Sequence, residues 1–196
     1  MKYLVGLLIV LLVIGGVFLG FNIGNNDNKS PSTSNSSSNA KVIDLSDSGL
    51  TSVSAGIYNQ TATTTLLLSN NSIKSLPSEM GKMTKLEVFK IDHNILEGSL
   101  IGEIRQMSQL RVLDVSNNKM TGMPAEIGQL SNLESLDYSY NKIDGLPNEL
   151  SNLKNTLKEF NLTGNPLSQN KINKLKADLP STNIISVNGT SEAITV

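Results

Sequence analysis

LEVFKIDHNIL from Leu86, LRVLDVSNNKM from Leu110 and LESLDYSYNKI from Leu133 are copies of one frame, L-x-x-L-x-L-x-x-N-x-L. Weaker copies begin at Ala40, Thr63 and Leu157, and the six starting points are separated by 23, 23, 24, 23 and 24 residues. Unrelated helices or strands have no reason to keep such a spacing, so the chain is read as a repeat array. A second pattern recurs in step with the first: Leu76-Pro77 with Met80 and Met83, Met123-Pro124 with Ile127 and Leu130, Leu146-Pro147 with Leu150 and Leu153.

Each feature has a physical cause. Apolar residues at the fourth and sixth positions of the frame share one face of a short strand, and the residues between them face the other way. One copy cannot bury its apolar face alone, so neighbouring copies must stack as an in-register parallel sheet. The recurring asparagine, at Asn71, Asn94, Asn118, Asn141 and Asn165, sits where the chain leaves the strand. Its amide both donates and accepts, so a column of these side chains can satisfy turn backbone from one repeat to the next. Proline after Leu76, Met123 and Leu146 fixes φ and keeps the return segment from becoming a long helix.

These residues resemble the leucine-rich repeat family, in the class with 23 or 24 residues per unit common in bacterial surface and extracellular proteins. The resemblance runs from about Ala40 to Leu167, and LEGSLIGEIRQMSQL from Leu96 looks like the longer variant of plant receptors. It implies an α/β fold, a right-handed solenoid with short parallel strands on its concave face, where displayed strand positions contact the ligand. Ala40 and Thr63 replace the first leucine of the frame, Ser48 replaces the first asparagine, and Tyr138 takes an inward position. The first repeat therefore reads as a cap. After Leu167, Ser168 can cap a helix carrying Ile172, Leu175 and Leu179 on one face, which predicts a C-terminal capping helix. Asn183 to Val187 can add a last strand.

The first forty residues differ. Leu4 to Phe21 is an unbroken run of 18 apolar or glycine residues behind Met1, Lys2 and Tyr3. As a helix it would reach roughly 27 Å, just enough to span a membrane. Lys2 and the amino terminus would stay in the cytoplasm, sending the repeats outside. The expected division is an N-terminal transmembrane anchor or signal segment at 1–21, a disordered Asn/Ser-rich linker at 22–40, a repeat domain of about six units at 41–190 with its cap from 168, and a frayed tail at 191–196. The expected location is the cell membrane as a single-pass protein with its repeats extracytoplasmic, or secretion if the segment is cleaved.

Composition excludes several functions. The chain has no cysteine and a single histidine, His93, so thiol chemistry and paired-histidine metal sites are absent. A net charge of −1 gives no reason to expect nucleic acid. Phosphate-binding glycine loops and nucleophile elbows are missing. Neither a cofactor nor a metal is expected, nor an enzyme, and the chain is expected to be a monomer.

The outward strand positions carry eight acids and four bases, a net −4 against −1 for the whole chain. Lys90, Asp92, His93, Asp114, Asn117, Asp137 and Tyr140 are the candidate partner-binding residues, for a protein or peptide. Asp114 and Asp137 fall at equivalent positions of adjacent repeats, about 4.8 Å apart, and their repulsion invites a cationic group. The alternative function is a structural spacer or envelope-assembly component without a dedicated ligand, in which the carboxylates only keep the surface soluble.

Overall fold

The computed structural model describes residues 11–14, 17–20 and 41–186. Within the apolar run lie β1 (Leu11–Ile14) and β2 (Val17–Gly20), paired antiparallel from Leu11↔Gly20 to Ile14↔Val17. The membrane-crossing helix expected over those residues is not shown. Val13, Ile14, Val17 and Phe18 have high strand propensity, and the intervening Gly15-Gly16 is a poor helix sequence. Among the described residues no helix is long and apolar enough to cross a membrane. The rest of the anchor, the linker at 22–40 and the tail at 191–196 lie outside the described residues.

The repeats build one seven-stranded parallel sheet. Its strands are β3 (Lys41–Asp44), β4 (Thr63–Leu67), β5 (Val88–Lys90), β7 (Val112–Asp114), β9 (Ser135–Asp137), β10 (Glu159–Asn161) and β11 (Asn183–Ile185), neighbours in that order. The register is the one the frame dictates, with Leu66, Phe89, Leu113, Leu136 and Phe160 aligned and every one buried. Two residues on, Leu68, Ile91, Val115, Tyr138 and Leu162 repeat the pattern and are buried too. A two-residue slip would keep these faces, but the turn asparagine would then miss its backbone partners.

A second, smaller parallel pair joins β6 (Glu97–Gly98) to β8 (Lys119–Met120). Return segments contain short 3-10 helices at Ser78–Lys82, Gly102–Gln106, Ala125–Gln129 and Asn148–Leu153. In three of them proline precedes the first helical residue. Met80, Met83, Ile104, Met107, Ile127, Leu130, Leu150 and Leu153 from these segments close the core from the side opposite the sheet. The first unit holds a single-turn helix, α1 (Ala55–Tyr58). At the other end α2 (Gln169–Asp178) buries Ile172 and Leu175, and β11 pairs with β10 after it.

The asparagine column accounts for most of the polar groups at the turns. Asn118 Oδ1 accepts from the Leu96 N–H at 2.9 Å, and its Nδ2 donates to the carbonyls of Ile91, Val115 and Ser116 at 3.0 to 3.1 Å. Asn94 and Asn141 repeat that arrangement, each taking an N–H and a carbonyl from the preceding unit. Asn71 reaches back to Leu50 N–H and Leu45 carbonyl, and Asn165 to Ile143 N–H and Tyr138 carbonyl. Tyr138 itself is fully buried, its hydroxyl has no partner, and burial drives that hydroxyl's pKa far up.

Candidate functional site

Two rows of the sheet face carry the candidate residues. The register aligns Asp44, Leu67, Lys90, Asp114, Asp137 and Asn161, so Lys90, Asp114 and Asp137 occupy adjacent strands. At the strand ends lies a second row: Asp47, Asn70, His93, Asn117, Tyr140 and Gly164. All six have left-handed backbone, with φ between 51° and 75°. Asp, Asn, His and Gly tolerate that conformation better than other residues, which explains five of the six identities. Tyr140 is the exception. It is also 57% exposed, the only large exposed apolar side chain among the described residues.

The aspartates are held by their own strands. Where a strand ends, the N–H two residues on loses its ladder partner and a side-chain oxygen must supply one. Asp114 Oδ1 accepts from the Ser116 N–H at 3.1 Å and from the Ser116 hydroxyl at 2.8 Å. Asp137 takes Ser139 the same way, at 2.8 and 2.6 Å, and its Oδ2 accepts from Asn161 Nδ2 at 3.0 Å. Asp44 with Ser46 and Asn161 with Thr163 repeat the backbone contact. The spacing Asp/Asn-x-Ser/Thr was visible in the sequence and its meaning was missed. Ser116 and Ser139 are buried, and their hydroxyls turn in to serve these carboxylates.

The third repeat breaks the pattern, with Lys90 where the fourth and fifth have aspartate and Asp92 where the flanking repeats have serine. Asp92 accepts from the Ser69 hydroxyl and lies 2.8 Å from His93 Nδ1. Partial burial works against this carboxylate, but the bonds from Ser69 and His93 outweigh it and hold its pKa below the usual value. Ser, Asp and His meet here, but the serine donates to the aspartate and not to the imidazole, so the order differs from that of a serine–histidine–aspartate triad.

Burial is the main reason that the Asp114 carboxyl is pushed above the usual range, with Asp92 and Asp137 adding repulsion and Ser116 opposing both. Because its folded-state pKa is raised, protonation favours the fold. That contribution is complete below the ordinary carboxylate pKa and is lost as pH rises through the raised value. Asp114→Asn keeps the acceptor for Ser116 and deletes the charge. It is expected to stabilise the protein at pH 7, with the gain disappearing in urea titrations below the ordinary carboxylate range; a gain that persisted in acid would show that removal of the half-buried charge is not its cause.

One row over, Arg111 and Lys158 flank Glu134 at 2.8 and 2.5 Å. Hydrogen bonds from Lys158 and Arg111 hold the Glu134 carboxyl down to about 2. Arg111 and Lys158 are exposed and Glu134 is only half-buried, so solvent screens the three and their effect is on the shape of the face. No group of three or more acids and histidines among the described residues is placed to hold a metal.

A family model described as "Leucine rich repeat" matches residues 61–120 and 108–167. No curated protein gives a significant match. Among solved structures, a leucine-rich repeat protein of Leptospira interrogans is 28% identical with a TM-score of 0.59, over 68% of this chain and 40% of that one. The ectodomain of the Arabidopsis thaliana membrane receptor kinase GASSHO1/SCHENGEN3, solved in complex with CASPARIAN STRIP INTEGRITY FACTOR 2, is 29% identical with a TM-score of 0.55, over 59% of this chain and 14% of that one. The Arabidopsis receptor kinase HAESA, in complex with the peptide hormone IDA and the co-receptor SERK1, is 31% identical with a TM-score of 0.55, over 59% and 20%. The chain thus spans less than half the length of each of these proteins.

Proposed function

Because this chain belongs to the leucine-rich repeat family, we propose that it is a recognition module that receives a protein or peptide across its strand face. The contact is centred on Lys90, Asp92, His93, Asp114, Asn117, Asp137 and Tyr140. The observation that carries this reading is the placement of an exposed tyrosine on a left-handed turn next to a strand row of half-buried acids. An exposed aromatic beside charges of one sign is the composition of an interaction hot spot more than of a merely soluble surface. The structures of GASSHO1/SCHENGEN3 with CASPARIAN STRIP INTEGRITY FACTOR 2 and of HAESA with the peptide hormone IDA lend the reading further support.

The apolar run from Leu4 to Phe21 motivates the second half of the proposal, a membrane tether with the repeats extracytoplasmic and residues 22–40 as the spacer. Retention of the full chain in carbonate-washed membranes, with protease-accessible repeats, is the expected result; release into the wash would remove the tether.

Asp114→Asn, Asp137→Asn and Tyr140→Asn together test the face. Asparagine keeps the oxygen that serves Ser116 and Ser139 and suits the left-handed position, so the fold should persist by circular dichroism. Capture from native envelopes, read by mass spectrometry, should lose the same partner that the unaltered chain returns reproducibly, by about 100-fold or more in affinity. An unchanged capture profile would exclude this patch. A specific observation favours the second reading, a spacer with no dedicated ligand: Asp114 and Asp137 are already hydrogen-bonded within the chain. If the unaltered chain captures nothing reproducible, the spacer stands.

A further inference from the structure

We infer that Gly164 is a positioning residue that seats the Tyr140 ring in a single outward presentation. Tyr140 is then a preformed contact and not a mobile surface aromatic. The inference rests on the recognition reading for its purpose, but its evidence is separate. A Cβ placed on Gly164 would stand 2.7 Å from Tyr140 Cδ1 and 3.2 Å from Cε1, so the ring occupies the space that any other residue would fill. Gly164 is the next member of the turn row that contains Tyr140, and it has φ of 75°. The earlier members of that row keep Asp, Asn, His and Asn.

Two features of this pair run against stability alone. A tyrosine in the left-handed region carries a penalty that Asn or Gly would avoid. Its ring remains 57% exposed, so burial of the ring does not offset that penalty in full. A large side chain kept in a disfavoured backbone state, over a neighbour shaped to receive it, fits a group whose orientation matters to something outside the molecule. A ring fixed before contact loses less conformational freedom on binding, which favours slow release of an extended peptide.

The test uses the intact chain and needs no partner. Gly164→Ala should lower the folding equilibrium constant by about 100-fold, since backbone strain and the ring collision each contribute about tenfold. In a Tyr140→Ser background, where the collision is gone, the same change should cost only about tenfold. The chain contains no tryptophan, so Tyr140→Trp supplies a lone fluorescent reporter at that position. Adding Gly164→Ala should make its emission quench faster with acrylamide and lower its anisotropy, which a purely structural glycine would not do. An equal cost in the Tyr140 and Tyr140→Ser backgrounds, or a reporter indifferent to Gly164→Ala, would overturn the inference. A seated reporter in a chain that captures no partner would sink the recognition reading and leave the seat intact.

Discussion

Asn118→Ala is expected to destabilise the protein by about 3 kcal/mol or more, because one small amide serves four backbone groups at once. The Leu96 N–H and the carbonyls of Ile91, Val115 and Ser116 all bond to it, and the side chain is buried. Alanine fills none of these roles, and no solvent stands by to replace it. A single lost hydrogen bond costs on the order of 1 kcal/mol, but a buried group left without any partner costs 1–3. Losing several together separates this substitution from an ordinary polar-to-alanine change. Asn118→Asp is a useful second variant, since it preserves the acceptor for Leu96 while removing every donor. Urea denaturation should place it close to alanine, for the carboxylate would then face three carbonyl oxygens. If Asn118→Ala unfolds within 1 kcal/mol of the unaltered chain, the column is ornamental and the stacking rests on leucines alone.

Gly128→Ala is expected to cost about 2 kcal/mol, although alanine is the better helix former by roughly 0.5–1 kcal/mol. Gly128 lies in the 3-10 helix Ala125–Gln129, next to Asn148–Leu153 of the following repeat. A Cβ there would fall 2.6 Å from the backbone carbonyl carbon of Glu149 and 2.7 Å from its Cβ, which is fixed to that backbone, so neither can swing away. The collision therefore wins over propensity, and the two return segments must part. Gly81 offers the contrast. Its added Cβ would meet the amide end of Gln106 at 2.6 Å, which can rotate aside, and the Cβ of Glu103 at 2.9 Å, but no backbone atom within 3 Å. Gly145 meets nothing within 4 Å, so Gly145→Ala should be neutral or slightly stabilising. Thermal unfolding of the three variants should rank Gly128 as most damaging; equal effects would mean that the collision relaxes freely.

The strands, their register and the asparagine column were legible because each follows from a repeated local rule. Leu113 and Val115 point inward in the fourth repeat for the same reason as Phe89 and Ile91 in the third, and six repetitions separate that signal from chance. The site was less legible for the same reason. Asp114 and Asp137 read as displayed charges because strand alternation puts them outward, yet Ser116 and Ser139 fold back on them at the strand ends. Alternation says nothing about where a ladder stops, and the stop decides which N–H needs a carboxylate. The left-handed row was equally hidden. Asp47, Asn70, His93 and Asn117 look like ordinary polar surface residues, although each tolerates positive φ, and Tyr140 disguises even that. The apolar run was less legible, since run length registers hydrophobicity without separating a helix from the paired strands at Leu11–Ile14 and Val17–Gly20.

The asparagine contacts all point the same way along the chain. Asn71, Asn94, Asn118, Asn141 and Asn165 each reach to backbone made earlier, so every turn is completed by the unit that follows it. Ser48 can lack an amide because nothing of this array precedes it. On a ribosome this gives folding a direction: each coil stays open until its successor emerges, and closure trails synthesis by one coil. An interrupted polypeptide would then strand only its last turn, whichever codon it stopped at.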